Sequence, residues 1–237
     1  MRNIKLTFTL LLFTMLSTEF ALAQDWPQLN KYKEANAKLE TPAPGEKRVV
    51  FMGNSITEGW SNHNPEFFEG KPYINRGIGG QTTPQMLVRF RQDVIDLKPE
   101  VVVILAGIND IAGNTGPSTV EMIEDNLISM AQLAKANGIK VVLSSVLPAL
   151  DFSWRPGMEP APKVIALNKM IKRYADENGL VYLDYFSAMA DAQQGLKSEY
   201  TYDGVHPNKA GYEVMAPLAE AAIAKAMKQK QPKGRSK

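Results

Sequence analysis

The sequence predicts an α/β domain in which helices cover both faces of a mostly parallel, five-stranded sheet. Short runs of β-branched and apolar residues alternate along the chain with longer segments of helical hydrophobic spacing, a pattern typical of strand–helix–strand units. The apolar runs are continuous, as expected for strands that are buried on both faces. The chain has 237 residues, 44% of them hydrophobic and 22% charged, which is the balance of a globular domain with a sizeable core.

The first 23 residues have the features of a secretory signal peptide. A basic start with Arg2 and Lys5 precedes the apolar run Leu6 to Leu16 and the small-x-small pattern Ala21-Leu22-Ala23. A membrane anchor is the alternative, but Glu19 interrupts the segment before it reaches the roughly 20 apolar residues that a spanning helix needs. We therefore expect cleavage after Ala23 and a periplasmic or secreted protein without stable membrane insertion.

The remaining chain is expected to hold one domain between two short terminal segments. Residues 24–46 form a lead-in strap that contains Trp26, a short helical pattern around Tyr32, Ala35 and Leu39, and a proline-rich end. Residues 47–227 form the domain, without an internal repeat or an interdomain linker. Residues 228–237 are rich in lysine and glutamine and are expected to form a flexible basic tail.

Five segments have the composition of buried strands, and helical segments follow them. The predicted strands are Arg48–Met52, Tyr73–Asn75, Val101–Ala106, Lys140–Ser145 and Leu180–Asp184. The predicted helices are Thr83–Asp96, Ser118–Asn137, Pro162–Asn178 and a last one from Asn208 or Lys209 to Met227. Ser118 and Glu121 have the spacing of a capping box, while Gly138 and Gly179 are placed as helix stops.

Composition argues against several partners and cofactors. The formal net charge is only +2, which gives no reason to expect nucleic-acid binding by an exported protein. The chain has no cysteine, so it can form no disulfide, no thiolate metal site and no lipid attachment through cysteine after the signal peptide. With two histidines besides, no metal site and no cofactor are expected. Composition does not predict the oligomeric state.

A serine follows the first predicted strand inside Gly53–Gly59, a glycine-flanked stretch that we interpret as a turn. Open α/β sheets bind ligands beyond the carboxyl ends of their strands, so Ser55 is well placed for chemistry. A serine after a strand is nonetheless more often a helix cap or turn former. As a nucleophile it requires a base, a group that orients the base, and donors for an oxyanion.

Two histidines compete for the role of base. His63 lies in a polar loop only eight residues after Ser55 and is most simply a surface or rim residue. His206 precedes the last predicted helix and has Asp203 three residues upstream, across Gly204. That spacing lets the carboxylate accept the Nδ1 proton and leaves Nε2 facing a hydroxyl. The alternative is an Asp-Gly turn beside a solvated histidine.

Two further loops offer oxyanion donors. The stretch Asn75–Thr82 follows the second predicted strand, and its glycines let the backbone approach a ligand closely. Asn109 follows the third strand in Gly107-Ile108-Asn109-Asp110 and can present its side-chain amide. Neither stretch alone is strong evidence for an oxyanion donor, because the first could be a tight turn and the second an Asx turn. Together with the serine loop they lie at one edge of the predicted sheet.

With these residues in order, the chain resembles the SGNH, or GDSL-type, family of serine hydrolases across essentially the whole predicted mature chain. The resemblance implies a three-layer, flavodoxin-like fold with Ser55 as nucleophile and Asp203 and His206 as the rest of the triad. It implies an oxyanion hole formed by the Ser55 and Gly80 amides and the Asn109 side chain. Within the family, the stretches around Gly80 and Asn109 are similar to platelet-activating-factor acetylhydrolases and bacterial acetylesterases.

The first block departs from the usual Gly-Asp-Ser-Leu, because Asn54 and Ile56 replace the acid and the leucine. Asn54 keeps a hydrogen-bond acceptor at that position but loses a charge. The block also differs from the Gly-x-Ser-x-Gly elbow of α/β-hydrolases, because position 57 is threonine.

We therefore expect a secreted esterase that cleaves short-chain, above all acetyl, esters of small molecules or carbohydrates. Trp154 is a candidate substrate-binding residue, and it lies in the long proline-rich stretch 148–162, which is either a rim over the site or a surface connection. The alternatives are a lysophospholipase- or thioesterase-type lipid acylhydrolase and a non-catalytic carbohydrate- or nucleotide-binding module. The last is weakened because the glycine loop lacks the third spaced glycine of a dinucleotide fingerprint.

Overall fold

The computed structural model describes residues 25–232. The predicted signal peptide and the last five residues of the predicted basic tail lie outside the described residues. Among residues 25–232, no helix combines the length and the apolar composition needed to cross a membrane.

The five predicted strands form one sheet in which every pairing is parallel. The strands are β1 (Val49–Gly53), β2 (Tyr73–Gly77), β3 (Val101–Leu105), β4 (Lys140–Ser144) and β5 (Val181–Leu183). Their order across the sheet is β2-β1-β3-β4-β5. The predicted fold class is thus confirmed, and strand ends differ from prediction by two residues at most.

Eight α-helices lie within the described part of the chain. They are α1 (Lys33–Ala37), α2 (Ser55–His63), α3 (Thr83–Asp93), α4 (Ile108–Ile111), α5 (Val120–Ala136), α6 (Ala161–Glu177), α7 (Phe186–Met189) and α8 (Lys209–Met227). The sequence did not predict α2, α4 or α7. The predicted cap of α5 at Ser118 is wrong, because Thr119 is the cap and accepts a hydrogen bond from the Met122 amide.

The helices cover the sheet on both faces. On one face α3 packs against α5 and α5 against α6, while on the other α8 packs against β3, β4 and β5 and touches α2. The core beneath α2 is aromatic: the rings of Trp60 and Phe67 stack with centroids 4.5 Å apart, and Tyr212 also stacks against Trp60. Trp60 is only 2% exposed and is therefore a core residue.

The register brings three loops to one level at the carboxyl edge of the sheet. Gly53 at the end of β1 pairs with Gly77 of β2 on one side and Leu105 of β3 on the other. The strand order reverses between β1 and β3, which makes this edge a topological switch point, the usual ligand-binding position of a sheet with this order. The segments that carry Ser55, Gly80 and Asn109 all begin there, the first and the last of them as helices α2 and α4.

Candidate active site

Ser55 is the first residue of α2, directly beyond the end of β1. The helix begins here because Asn54 caps it, its side-chain oxygen accepting a hydrogen bond from the Ile56 amide at 3.0 Å. The prediction of a turn through Gly59 is therefore wrong, since a helix runs from Ser55. The Ser55 Oγ atom lies 2.9 Å from Nε2 of His206, across 151 residues of sequence.

A tight turn orients His206. Nδ1 of His206 lies 2.7 Å from Oδ2 of Asp203, while Oδ1 of the same carboxylate accepts hydrogen bonds from the amides of His206 at 2.8 Å and Val205 at 3.0 Å. The Thr201 hydroxyl fastens the turn by donating to the His206 carbonyl at 2.7 Å and accepting from the Gly204 amide at 3.0 Å. The Asp-Gly turn left open from the sequence is present, and its carboxylate faces the imidazole.

The carboxylate of Asp203 is stabilised as an anion. Partial burial acts to raise its pKa, but the hydrogen bonds from His206 and the Val205 amide outweigh burial, so the pKa lies below its ordinary value. A charged carboxylate at Nδ1 fixes the imidazole tautomer that leaves Nε2 free to accept a proton.

The loops after β2 and β3 meet beside Ser55. Gly80 has a left-handed backbone with φ of +75°, which glycine adopts at no steric cost. Asn109 is 3% exposed, and its Nδ2 donates to the Gln81 carbonyl at 3.0 Å. Because an amide nitrogen carries two hydrogens, Asn109 keeps a second donor. Asn114 closes the group by donating to the Gly80 carbonyl at 3.1 Å.

These groups line one open cavity with a volume of about 280 Å³. Its lining residues are Ser55, Gly80, Asn109, Asn114, Trp154 and His206. The space therefore joins a hydroxyl, a base held by a carboxylate, and amide donors on the neighbouring loops. That combination is what acyl transfer through a serine requires.

A buried arginine supports the loop after β2 and was missed in the sequence. Arg89 of α3 is fully buried and donates to the Gln81 side chain at 2.6 Å, to the Gly53 carbonyl at 3.0 Å and to Asp93 at 3.0 Å. It thus links the residue that ends β1 to the loop that holds Gly80. No local signal identifies it, because an arginine on a helix is ordinarily exposed.

A second support, also missed, holds the glycine loop from α2. The Glu58 carboxylate accepts a hydrogen bond from the Gly79 amide at 2.7 Å and pairs with Lys31 at 2.9 Å. Gly77 allows α2 this approach, because a Cβ atom there would collide with the Glu58 backbone.

The stretch 148–162 borders the site, where Trp154 lines the cavity at Ser55. Asp151 folds it by accepting hydrogen bonds from the amides of Phe152, Gly157 and Met158, and Arg155 ties it to the end of α4 through the Ala112 carbonyl. Trp154 is 44% exposed, with its ring 5.8 Å from that of His206. Of the two alternatives from the sequence, the structure favours the rim over a plain surface connection.

His63 lies away from this cavity. It is exposed at the end of α2 and stacks on Tyr212 with ring centroids 5.7 Å apart, in agreement with the predicted surface position. Within residues 25–232, no group of three or more His, Cys, Asp or Glu side chains is arranged to hold a metal ion.

Comparisons with known proteins point to one family. The model of the GDSL-like Lipase/Acylhydrolase family matches residues 51–214. The solved structure of a GDSL-like lipase from Bacteroides thetaiotaomicron is 49% identical with a TM-score of 0.82, and the match covers 84% of this chain and 98% of that one. Esterase TesA of Pseudomonas aeruginosa is 30% identical over 167 residues, which are 69% of this chain and 77% of the relative.

A more distant relative carries a substrate in its name. The acetylxylan esterase of Xylanibacter ruminicola is 26% identical over 220 residues, covering 77% of this chain and 44% of the esterase. This chain spans about half the length of two of the curated relatives that it matches, 51% of one and 44% of the other.

Proposed function

We propose that this chain, which belongs to the GDSL-like lipase/acylhydrolase family, is an esterase that removes acetyl and other short acyl groups with Ser55, His206 and Asp203. The resemblance inferred from the sequence motifs is confirmed at the level of the family, and the chain is a carboxylic ester hydrolase. The observation that carries the assignment of residues is the unbroken series of contacts from Ser55 Oγ to His206 at 2.9 Å and from His206 to Asp203 at 2.7 Å.

In the first half of the proposed reaction, Ser55 Oγ attacks the ester carbonyl while Nε2 of His206 takes its proton. The tetrahedral intermediate collapses when the same proton passes to the leaving alcohol, and the acyl group stays on Ser55. Asp203 remains ionised and stabilises the imidazolium. In the second half, His206 deprotonates a water molecule, which attacks the acyl-enzyme, and the carboxylic acid is released as Ser55 recovers its proton.

The negative oxygen of both intermediates needs donors that are already in position. We assign this role to the backbone amides of Ser55 and Gly80 and to the second Nδ2 hydrogen of Asn109. The position of Ser55 supports the assignment. It is the first residue of α2, where the free backbone amides and the helix dipole favour negative charge.

A short acyl group suits the dimensions of the site. The cavity at Ser55 holds about 280 Å³, just below the range of about 300–1,000 Å³ usual for small-molecule pockets. We propose that it takes the acyl group and that Trp154 packs against the substrate. The name of the Xylanibacter relative agrees with an acetyl ester. A lipid acylhydrolase is the alternative, and the chain-length series described below separates the two.

Export is part of the proposal and rests on the sequence alone. We propose cleavage after Ala23, a mature domain over residues 47–227 that is preceded by the strap 24–46, and a periplasmic or secreted location. Amino-terminal sequencing of the protein from a bacterial expression host tests the cleavage position. Recovery of an uncleaved chain from the periplasm or medium would contradict it.

Point variants test the residue roles. Ser55→Ala or His206→Ala should lower p-nitrophenyl acetate hydrolysis by on the order of 10⁵–10⁶, because the members of a triad act as a unit. Matched controls are Ser129→Ala on α5 and His63→Ala, which removes the other histidine of the chain. Circular dichroism should show an unchanged fold. Wild-type activity in purified Ser55→Ala protein, or equal losses in the two histidine variants, would overturn the mechanism.

A chain-length series tests the substrate class. We expect kcat/KM for p-nitrophenyl esters to be highest for acetate and to fall from acetate to octanoate. A preference for octanoate would favour the lipid alternative. A fluorophosphonate probe should label wild-type protein and not Ser55→Ala, whereas a binding module without catalysis would not be labelled at all.

A further inference from the structure

A second cavity adjoins the site on the side of the predicted strap. It has a volume of about 420 Å³, and it lies between residues 25–28 and the loop that holds Gly80. Its lining residues are Asp25, Trp26, Gln28, Gly79, Gly80, Gln81, Gln85, Asn114 and Thr115. Gly80 and Asn114 line both this cavity and the one at Ser55. The two cavities therefore adjoin at Gly80 and Asn114, so a substrate that passes over these residues would reach both.

The walls combine neutral polar groups with one exposed aromatic ring. Amides and hydroxyls dominate, and Asp25 is the one charged residue among the nine that line the cavity. Trp26 is 42% exposed. An acyl chain would find little apolar wall among these nine residues. A sugar ring suits both features, since its hydroxyls pair with amides and its C–H face packs on an indole.

Hydrogen bonds hold the aromatic wall in place. The Gln85 side chain donates to the Trp26 carbonyl at 2.7 Å, and the Gln81 side chain donates to the Pro27 carbonyl at 2.8 Å. Asp25 fixes the following turn by accepting from the Leu29 amide at 2.8 Å. The backbone that carries Trp26 is thus positioned in advance of the ligand, which lowers the entropy lost on binding.

One wall residue has capacity left for a ligand. Gln28 has a left-handed backbone with φ of +54°, and its amide donates to the Asp25 carbonyl at 2.9 Å. Within residues 25–232 its side chain makes no hydrogen bond, and it lines the cavity together with Trp26. A primary amide offers both donors and an acceptor, as recognition of a polyol requires.

We propose that this second cavity is a glycan subsite, in which Trp26 and Gln28 bind the sugar part of an O-acetylated oligosaccharide while its acetyl group lies at Ser55. The inference rests on the proposed function and names the alcohol side of its substrate. It also gives the strap a direct part in substrate selection.

The test compares two esters that share an acetyl group but differ in the alcohol. The measured quantity is kcat/KM for acetylated xylooligosaccharides divided by kcat/KM for p-nitrophenyl acetate. Trp26→Ala should lower this ratio about tenfold, as expected for loss of one stacking platform, mainly through KM for the oligosaccharide. Trp26→Phe should restore most of it. Ile165→Ala on α6, a side chain with the same 42% exposure, is the matched control and should leave the ratio unchanged.

Direct binding provides a second measurement. Ser55→Ala protein should bind deacetylated xylooligosaccharides in isothermal titration calorimetry. Double variants that also carry Trp26→Ala or Gln28→Ala should bind them more weakly. The subsite would be overturned if Trp26→Ala left the ratio unchanged and neither substitution weakened binding. In that case the hydrolysis of p-nitrophenyl acetate would still depend on Ser55, and the proposed function would stand. Failure of wild-type protein to hydrolyse either ester would instead overturn the proposed function.

Discussion

Asn54 occupies the position where the family usually has an acid. Its side-chain oxygen caps α2 through the Ile56 amide at 3.0 Å, so the acceptor expected from the sequence is retained. A negative charge at a helix amino terminus is ordinarily favourable, and asparagine at this position does not supply it. Its Nδ2 is buried without a hydrogen-bond partner in the described part of the chain. The residue thus keeps the local geometry beside Ser55 and changes its electrostatics.

The sequence predicts the residues of the site that carry recognisable chemistry, and the structure brings Ser55, His206 and Asp203 into contact. Ser55, Asp203 and His206 have the side chains that acyl transfer demands, and each lies in a short motif, so the amino-acid sequence alone was enough to name them. Arg89 and Glu58 could not be named in this way. Their contribution lies in contacts with Gln81 and with the Gly79 amide, and in a sequence both are ordinary helix residues of the kind that is usually solvated.

Asn109 gives a prediction at this scale. Asn109→Ala should lower kcat for p-nitrophenyl acetate by about 10²–10³, because one oxyanion donor is lost, while KM changes little. Asn137→Ala, just after the end of α5, is the control, since within residues 25–232 that side chain makes one hydrogen bond, which it donates to the Leu133 carbonyl. Steady-state kinetics at saturating substrate distinguish the two. A kcat for Asn109→Ala within about threefold of wild type would remove Asn109 from the proposed oxyanion hole.

Among the elements, the predicted strands and long helices were found, whereas the shorter helices α2, α4 and α7 were missed. The long segments succeed because their hydrophobic spacing repeats over several turns. Helix α2 buries only Ile56, Thr57 and Trp60 and contains Gly59, so its periodicity is weak. Helix α4 has four residues, all of them buried. Tertiary packing stabilises such short helices, and a single sequence does not carry that information.

The strap, residues 24–46, makes more contacts with the site than the sequence predicts. The sequence predicts only a lead-in segment, yet the Tyr32 hydroxyl donates to the Gly77 carbonyl, Gln81 donates to the Pro27 carbonyl, and Lys31 pairs with Glu58. All three contacts reach the loop that carries Gly80 or the elements beside it. The strap therefore buttresses the proposed oxyanion loop in addition to lining the second cavity.

Glu58 tests that connection as a positioning residue. Glu58→Ala frees the Gly79 amide and the Lys31 ammonium together, and the neighbouring Gly80 amide loses its fixed direction. We expect kcat for p-nitrophenyl acetate to fall about tenfold, part of the value of one oxyanion donor, with a small change in KM. Glu58→Gln should recover most of kcat, because an amide oxygen still accepts from Gly79.

Glu213→Ala is the matched control for Glu58. Glu213 pairs with Lys209 on α8 at 3.2 Å with 54% of its side chain exposed, and an exposed pair of this kind contributes about 0–1 kcal/mol to stability. The kinetic constants of this variant should equal those of wild type. Equal kcat values for Glu58→Ala and Glu213→Ala would show that Glu58 has no part in positioning the loop.

For the whole molecule, the sheet order could be expected in outline but the meeting of Ser55 with His206 could not be derived from spacing. The two residues are 151 positions apart. They meet because α8 packs against three strands and touches α2, and because the Tyr212 hydroxyl donates to the Ile56 carbonyl at 2.7 Å. Only the resemblance to a family joined the two motifs in advance, since the packing of the last helix is a global property.

Asp110 is a second point at which distant elements meet. Its carboxylate follows Asn109 and accepts hydrogen bonds from the Thr83 amide at 3.0 Å and the Thr83 hydroxyl at 2.6 Å, while Asn126 of α5 donates to that hydroxyl at 3.0 Å. Burial raises the pKa of Asp110 to about 6, outweighing the hydrogen bonds from Thr83 that act to lower it. Helices α3, α4 and α5 therefore meet at one titratable group.

The raised pKa predicts a pH-dependent stability. Because folding raises the pKa of Asp110 from 3.8 to about 6, the folded state binds the proton more tightly. The resulting stabilisation is fully present below pH 3.8 and is lost as the pH rises through about 6. Two units of pKa correspond to about 3 kcal/mol. Relative to Asp110→Asn, wild-type protein should lose on the order of 3 kcal/mol in free energy of unfolding between about pH 4 and pH 7.

Urea unfolding at several pH values measures this difference, and Asp151→Asn provides a control of opposite sign. Hydrogen bonds from the Gly157 and Phe152 amides lower the pKa of Asp151, so its contribution is present above its unfolded pKa and is lost as the pH falls. The two variants should therefore diverge from wild type in opposite directions as the pH changes. Parallel stability curves for wild type and Asp110→Asn would show that the carboxylate stays ionised, held by Thr83 in spite of its burial.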